Sequence, residues 1–398
     1  MSDCMNVLVA VDAHLFKTPD GRVWAKAIYG YEFWTRYLKA FDSISVVSRM
    51  KEVDFEEVNG YLRSDGDRVT FKPMPMARSY KEYSKHLLSY MKAARQAVKG
   101  EECAIIRLPS IAATFIELAF RRTHKPYLLE IVVDPTNAFE GSAIAAKVLT
   151  AHLKIACRRA NGVSYVTQFS LQKQYPSTAR VLGKNTDEHF ESYYSSIILN
   201  KEFFAKPRDF TKLTKKIKIA HTANNINNYV KGHDVVINIV KKLQEKGIDS
   251  DVTFIGDGNK RREFEKLSRD LGLTEKVTFT GMLASSKEVR EKLLDADMFI
   301  FPTKCEGLPR AIIEAMAVGL PCLSTPVNGI PELLDEEYMF DPIDVDGFTY
   351  KIVELIENPE KMNAMSIRNI DKAKEYEASI LQERRTQFYE KLRKLAEK

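Results

Sequence analysis

Residues 297–334 read DMFIFPTKCEGLPRAIIEAMAVGLPCLSTPVNGIPELL, and their pattern carries the fold class. An apolar strand over 298–301 runs into a loop, the loop into a helix, and the helix into a second strand. Pro309 suits the first helical turn, where a missing N–H costs nothing. Gly319 ends the helix and Pro321 stops its continuation. The helix start therefore sits at the end of a strand beside Gly307. Free backbone N–H groups and the positive end of the helix dipole gather there, an arrangement that suits a phosphate. Glu314 lies inside AIIEAMAV with apolar residues on both sides, and a carboxylate in such a setting needs a partner. That partner is either Arg310, one turn back, or the hydroxyls of a sugar. Glu306 stands in the loop before the helix, as a solvated residue or as a second hydroxyl ligand.

Outward from this segment the same alternation fills the chain. In the first half, strand-like runs at 7–11, 44–48, 104–108, 127–133 and 162–166 alternate with helical patterns near 24–40, 79–98, 110–123 and 142–160. In the second half, runs at 217–221, 252–256, 277–281, 298–302 and 321–325 alternate with helices near 231–246, 259–271, 285–295 and 309–318. Apolar strands separated by amphipathic helices predict parallel sheets covered on both faces. The pattern restarts after KEFFAKPRDFTKLTKK (201–216), so two doubly wound α/β domains with a cleft between them are expected, followed by a helical tail from about 344. In such sheets ligands bind outside the carboxyl ends of the strands.

EGLPRAIIEA, with glutamates separated by seven residues, and the MAVGLPCLSTPVNGIPELL that follows resemble the donor-binding signature of retaining GT-B glycosyltransferases, family 4 type. IGDGNKRREFEKLSRDLGLTEKVTFTG resembles that family's Gly-Asp-Gly turn, helix and strand, and YVKGHDVVINIVKKL its Lys-Gly helix start. The likeness is strong over 217–340 and weak before it. It implies a GT-B fold in three parts: an N-terminal acceptor domain over 1–205, a nucleotide-sugar domain over 206–375, and a C-terminal helix, 376–398, returning to the first domain. It implies a retaining, metal-independent transfer from a UDP- or GDP-linked sugar to a glycan or polyprenyl-diphosphate-linked acceptor in polysaccharide synthesis, with no other cofactor. Glu306 would bind the transferred sugar with the N–H groups of Gly307 and Leu308. Glu314 would bind the ribose, and Met282 and Leu283 the base. Lys231 would neutralise the departing diphosphate, with Gly232 allowing the helix start to approach it. A fixed cation and a helix N-terminus stabilise charge that develops on a leaving oxygen.

The sequence departs from the family in three places. Thr222 stands about where an arginine normally clamps the second phosphate, so either Lys231 works alone, or another basic residue such as Arg261 or Arg262 helps, or activity is low. The first-half loop TPDGRVWAKAIYG offers Gly21 alone in place of paired glycines, with Arg22 beside it. Asp134 occupies the place of a sugar-facing histidine, either as a catalytic-site carboxylate or as a turn cap. Two other functions remain open: a nucleotide-sugar epimerase on the same fold, which would need a histidine–acid set, and a non-catalytic nucleotide- or carbohydrate-binding subunit, which the missing arginine favours.

Composition sets the outer limits. The 398 residues carry 60 Lys and Arg against 54 Asp and Glu, too small an excess for a nucleic-acid binder. All of it lies in residues 1–200, where 27 basic face 21 acidic side chains. Residues 72–125 hold 11 basic and 4 acidic ones, interleaved with Tyr80, Tyr83, Tyr90 and Met91. Basic and aromatic residues on one helix point to an anionic membrane surface, contacted through 78–99 and 121–125. Five scattered cysteines without CxxC spacing fit a reducing cytosol rather than a disulfide framework. No apolar run reaches membrane-spanning length, so a cytoplasmic protein, peripheral at the inner face of the cell membrane, is expected. The Asp-x-Asp pairs at 65/67, 249/251, 295/297 and 344/346 lie at turns or polar helix ends and lack the setting of a metal site. The IGDG turn lacks the nicotinamide fingerprint, and LGKNT lacks a phosphate loop's first glycine.

Overall fold

The structure, a computed structural model, describes residues 4–26, 28–77, 80–135, 143–213 and 216–398. The chain divides into two compact units, Met1–Tyr194 with Leu381–Lys398, and Ser195–Ile380. The division falls before 205 because the connecting segment is bonded into the second unit. Ala205 N–H donates to Ala317 O at 3.0 Å, and Arg208 N–H to Ser366 Oγ at 2.9 Å.

The first unit contains β1 (Asn6–Lys17), β2 (Val23–Ala25), α1 (Tyr31–Thr35), β3 (Ser43–Glu52), β4 (Leu62–Arg63), β5 (Val69–Met74), α2 (Tyr80–Lys85), α3 (Leu87–Val98), β6 (Ala104–Leu108), α4 (Ile111–Phe120), β7 (Tyr127–Ile131), α5 (Ala143–Arg159), β8 (Gly162–Tyr165), α6 (Ser170–Gln174), α7 (Thr178–Leu182) and β9 (Phe190–Tyr193). Its parallel ladder runs β5-β3-β1-β6-β7-β8-β9. Strand β5 escapes the apolar-run pattern because Pro73 interrupts it. A proline is tolerated there because β5 is an edge strand.

Two expected helices differ from the structure. The 24–40 segment begins as β2, which pairs antiparallel with β1 beyond a register shift between Ala10 and His14. The turn joining them explains why: Gly21, at φ +82°, donates to Thr18 O at 2.9 Å, and Thr18 N–H donates to Arg22 O at 3.0 Å. The helical portion shrinks to α1. The 79–98 helix is broken at His86 into α2 and α3, and Tyr90 is fully buried with its hydroxyl on Pro75 O, so this aromatic belongs to the core.

The second unit contains β10 (Lys216–Asn225), α8 (His233–Glu245), β11 (Asp249–Asp257), α9 (Arg261–Asp270), β12 (Val277–Phe279), α10 (Ser286–Leu294), β13 (Met298–Ile300), α11 (Arg310–Ala317), β14 (Cys322–Leu323), α12 (Val345–Ile356) and α13 (Pro359–Lys374). Its five strands are parallel in the order β12-β11-β10-β13-β14. Ile217, Ile219, Val252, Phe254, Met298 and Ile300 of the sheet pack with Val236, Val240 and Leu243 of α8 and with Phe348 and Ile352 of α12. The last helix, α14 (Ala378–Ala396), carries the chain back to the first unit, where Tyr389 stacks on Tyr37 at 5.2 Å and Phe388 meets Phe190 edge-on at 5.3 Å.

Candidate active site

Strand order in the second unit reverses between β10 and β13, and that switch point is where an open α/β sheet leaves a crevice for a ligand. The loop after β10 and the loop after β13 meet there. Thr303 Oγ1 donates to Val230 O at 3.3 Å, and Lys304 N–H donates to the same carbonyl at 2.8 Å. Gly232 makes the approach possible. At φ +72° it caps α8 in the left-handed region, and a Cβ would come within 2.3 Å of Pro302 O. Any side chain there would push the helix start off the loop.

This contact brings Lys231 onto Glu306 as an ion pair, with the lysine Nζ also donating to Cys305 O at 3.1 Å and lying 5.7 Å above the Phe301 ring. The glutamate's loop is held from behind. Asn328, at φ +47°, donates its side-chain amide to Glu306 O, Gly329 N–H donates to Gly307 O at 3.0 Å, and Thr325 Oγ1 donates to Thr303 O at 2.7 Å. The N–H groups of Gly307 and Leu308 have no acceptor among the described residues. Pro309 lies one position earlier than its pattern suggests, as the cap before α11 rather than within its first turn.

Glu314 lies mid-way along α11, half-buried, with no hydrogen-bond or ion-pair partner among the described residues. Burial pushes its carboxyl up to about 7, and Arg310, one turn back, offsets only part of this. The Arg310 pairing considered from the sequence thus supplies charge but no bond. Across the crevice the Gly-Asp-Gly turn packs flush, since a Cβ on Gly256 would lie 1.8 Å from Ala223 O and one on Gly258 2.6 Å from Ile226 O. Gly256 N–H donates to Gly281 O at 3.2 Å, which sets Met282 and Leu283 just past β12, Met282 exposed and Leu283 half-buried.

Thr222, in the arginine's place, is buried, and its hydroxyl has no partner among the described residues. Arg261 is committed to Glu265 at 2.7 Å and Asp257 at 3.6 Å. Arg262 is exposed. Behind Lys231, His221 and His233 meet edge-on at 4.5 Å, with His221 Nδ1 2.9 Å from Ile300 O and the other three ring nitrogens without a partner among the described residues. Burial pushes their imidazoles down, to about 4 and about 2, so both are neutral at pH 7. They fill the sheet–helix interface and form no histidine–acid set.

Two expected site residues belong to the first unit. Asp134, just past β7, is buried beside Tyr175, and burial followed by the Asp134 carboxylate pushes that phenol's pKa up. Gly21 occupies the exposed β1–β2 hairpin turn, so its left-handed φ serves the hairpin. Sequence reasoning missed Asn328 and Phe301. The Asn328–Gly329 dipeptide is a turn signal, but the carbonyl it would hold is set only by the fold.

With this geometry in place, residues 204–372 match the family model described as Glycosyl transferases group 1. The matched stretch spans most of the second unit, Ser195–Ile380. Protein CapJ of Staphylococcus aureus is 28% identical over 359 residues, 86% of this chain and 87% of its own. The putative colanic acid biosynthesis glycosyltransferase WcaL of Escherichia coli K12 is 36% identical over 113 residues, 27% of this chain and 28% of its own. The crystal structure of Anabaena Alr3699/HepE in complex with UDP superposes with a TM-score of 0.65 at 15% identity, covering 95% of this chain and 97% of that one. The fold of this chain is accordingly GT-B. The Lys231–Glu306 pair and Glu314 all lie inside the matched stretch.

Proposed function

We propose that this protein transfers a sugar from a UDP- or GDP-linked donor to a glycan or lipid-linked glycan acceptor in polysaccharide assembly, with retention of anomeric configuration. One observation carries the reading: at the switch point a lysine is held against a glutamate beside two backbone N–H groups with no acceptor among the described residues, and the helix that follows bears a half-buried carboxylate with no partner among them. The names of CapJ and WcaL, and the UDP in the HepE structure, are consistent with it. In this reading Glu306 and the N–H groups of Gly307 and Leu308 hold the sugar, and Glu314 accepts from the ribose diol. Met282 and Leu283 cover the base. Lys231, which Glu306 stores in place before the donor arrives, turns to the diphosphate as negative charge develops on the leaving oxygen. Charge on the diphosphate is thereby met by protein groups, without calling on a metal ion. Asp134 is assigned to the acceptor half of the reaction.

The test is turnover of UDP- and GDP-sugars by the whole chain with Glu306→Ala and Lys231→Ala. Removal of one such group should lower kcat by about 10²-fold or more, with the fold intact by circular dichroism. Unchanged turnover in both variants overturns the assignment. Thr222 favours a second reading, nucleotide-sugar binding without transfer. A donor that raises Tm but is never consumed, alone or with acceptor, would establish it.

A further inference from the structure

Residues 141–186 contain seven Lys and Arg and no Asp or Glu. Four of these cations, Lys147, Lys154, Arg158 and Arg159, lie on α5. That helix is fixed in rotation. Ala146, Leu149, Leu153, Ala156 and Cys157 are buried, and His152 Nε2 lies 2.8 Å from the fully buried Glu117 carboxylate of α4. What faces outward is therefore fixed too. Ile144 is 78% exposed, Val148 62% and Ile155 53%, and Ala151 is exposed between them. At about 100° per residue these four fall within an arc of about 60°, an apolar ridge roughly 17 Å long. Lys147, Lys154 and Arg158 flank one side of it and Arg159 the other. Lys147, Lys154 and Arg159 form no ion pair among the described residues. No other described helix exposes three large apolar side chains. Helix α7 abuts the end of α5, with Arg158 Nε donating to Pro176 O at 3.0 Å and Thr178 Oγ1 to Arg158 O at 2.7 Å. It adds Val181 and Leu182, 55% and 52% exposed.

From this we infer that the outer face of α5, extended by α7, docks on an anionic lipid bilayer, with α5 in the interfacial plane, its ridge among the acyl chains and its cations at the headgroups. An outward apolar row bordered by cations is the pattern of an interfacial helix, and no helix of the described residues is long and apolar enough to cross a membrane. Charge argues for lipid over a second copy of this chain. Two α5 faces brought together would oppose cations with cations and supply no acid, a repulsive juxtaposition. The basic stretch considered from the sequence keeps exposed cations at Lys85, Lys92, Arg95, Lys99 and Arg122 but offers a smaller apolar face. Arg78 and Ser79 lie outside the described residues, Lys72 and Lys125 are paired with Glu101 and Glu102, and Arg121 with Glu117. Among the described side chains its exposed large apolar contribution is Leu87 and Leu88. The inference rests on the transfer reading only in giving a lipid-linked acceptor a surface from which to be reached.

The experiment is co-sedimentation of the full chain with vesicles of phosphatidylcholine alone, or of equal parts phosphatidylcholine and phosphatidylglycerol. Wild type is expected to pellet with the mixed vesicles only, and less so in high salt. Ile144→Glu/Val148→Glu/Ile155→Glu should remain in the supernatant with an unchanged melting curve. Lys147→Ala/Lys154→Ala should lose about 25-fold in partition, at about fivefold per cation. Leu87→Glu/Leu88→Glu should pellet as wild type does. Equal recovery from both vesicle types, or loss of binding in the Leu87/Leu88 variant but not the α5 variant, overturns the inference. So does a dimer by light scattering that the α5 variant dissociates. A protein that pellets yet consumes no nucleotide sugar refutes the transfer reading and leaves the docking face standing.

Discussion

Glu314 shows how much a single residue's surroundings decide. In the unfolded chain its carboxyl titrates near the ordinary 4.5, and in the folded chain burial raises it to about 7. Between those values the folded state binds more protons, so stability falls as pH rises through the window, by roughly 2–3 kcal/mol in all. His221 and His233 act in the opposite direction. Lowered to about 4 and about 2, they cost stability as pH falls below the ordinary 6.5. The comparison that isolates the glutamate is wild type against Glu314→Gln, melted across a pH series. The wild type should lose ground steadily to the variant from about pH 5 to about pH 7.5. A difference that stays constant with pH would contradict the burial argument. The glutamate's apolar neighbours in sequence already announced an ion out of place. They did not show that Arg310 fails to bond it, since that depends on how both side chains leave the helix.

At the scale of elements, the segment 201–216 is instructive. Its sequence carries no periodicity, yet Phe210 packs into the core of the second unit and Arg208 caps two helices there. Arg208 donates from Nε to Val318 O at 2.9 Å, from Nη2 to Leu293 O at 3.0 Å, and from Nη1 to Ala296 O. It thus satisfies carbonyls at the ends of α10 and α11, where a helix leaves acceptors unpaired and favours a cation. Gly319, at φ +73°, keeps that end tight, since a Cβ there would lie 2.5 Å from Ser366 Oγ and 3.5 Å from Arg208 Cγ. Arg208→Ala strands three carbonyls that are largely shielded from water, and should cost about 2–4 kcal/mol of second-unit stability in denaturant melts. A loss below about 0.5 kcal/mol, the scale of an ordinary surface change, would mean that water replaces the guanidinium freely. Helix α11 itself was legible from Pro309 and Gly319, because caps are written locally. Its carbonyl partner, some hundred residues earlier, was not.

At the scale of the whole molecule, the first unit closes around Glu130, which no local pattern marks. It is buried on β7 and accepts from Tyr37 at 3.2 Å, Tyr194 at 3.0 Å, Arg107 at 2.9 Å and the Tyr389 hydroxyl of α14. Burial pushes its carboxyl up, but Arg107 and the hydroxyls of Tyr389 and Tyr194 outweigh it, and the pKa falls below the ordinary range. One carboxylate thereby ties four distant segments together, the C-terminal helix among them. Glu130→Ala leaves the Arg107 guanidinium buried and unpaired, an imbalance worth about 3–5 kcal/mol. Limited proteolysis should then cut within or just before α14, at a site the wild type protects. Equal protection in both proteins would show that α14 is held by its aromatic contacts with Tyr37 and Phe190 alone.

The amino-acid sequence by itself determined the alternating α/β architecture, the site-bearing strand–loop–helix at 298–317 and the two glutamates on it. Strand and helix periods, prolines and capping glycines are local, and they survive in one dimension. Only the tertiary structure decided that Lys231 rests on Glu306, that Gly232 must lack a side chain beneath Pro302 O, and that Glu314 has no partner among the described residues. It also decided that the 24–40 segment opens as a hairpin strand, and that the apolar row of α5 points outward rather than into the core. Each of these depends on which distant backbone groups lie within bonding or contact distance. Sequence spacing does not encode that distance until the sheet orders have brought the loops together.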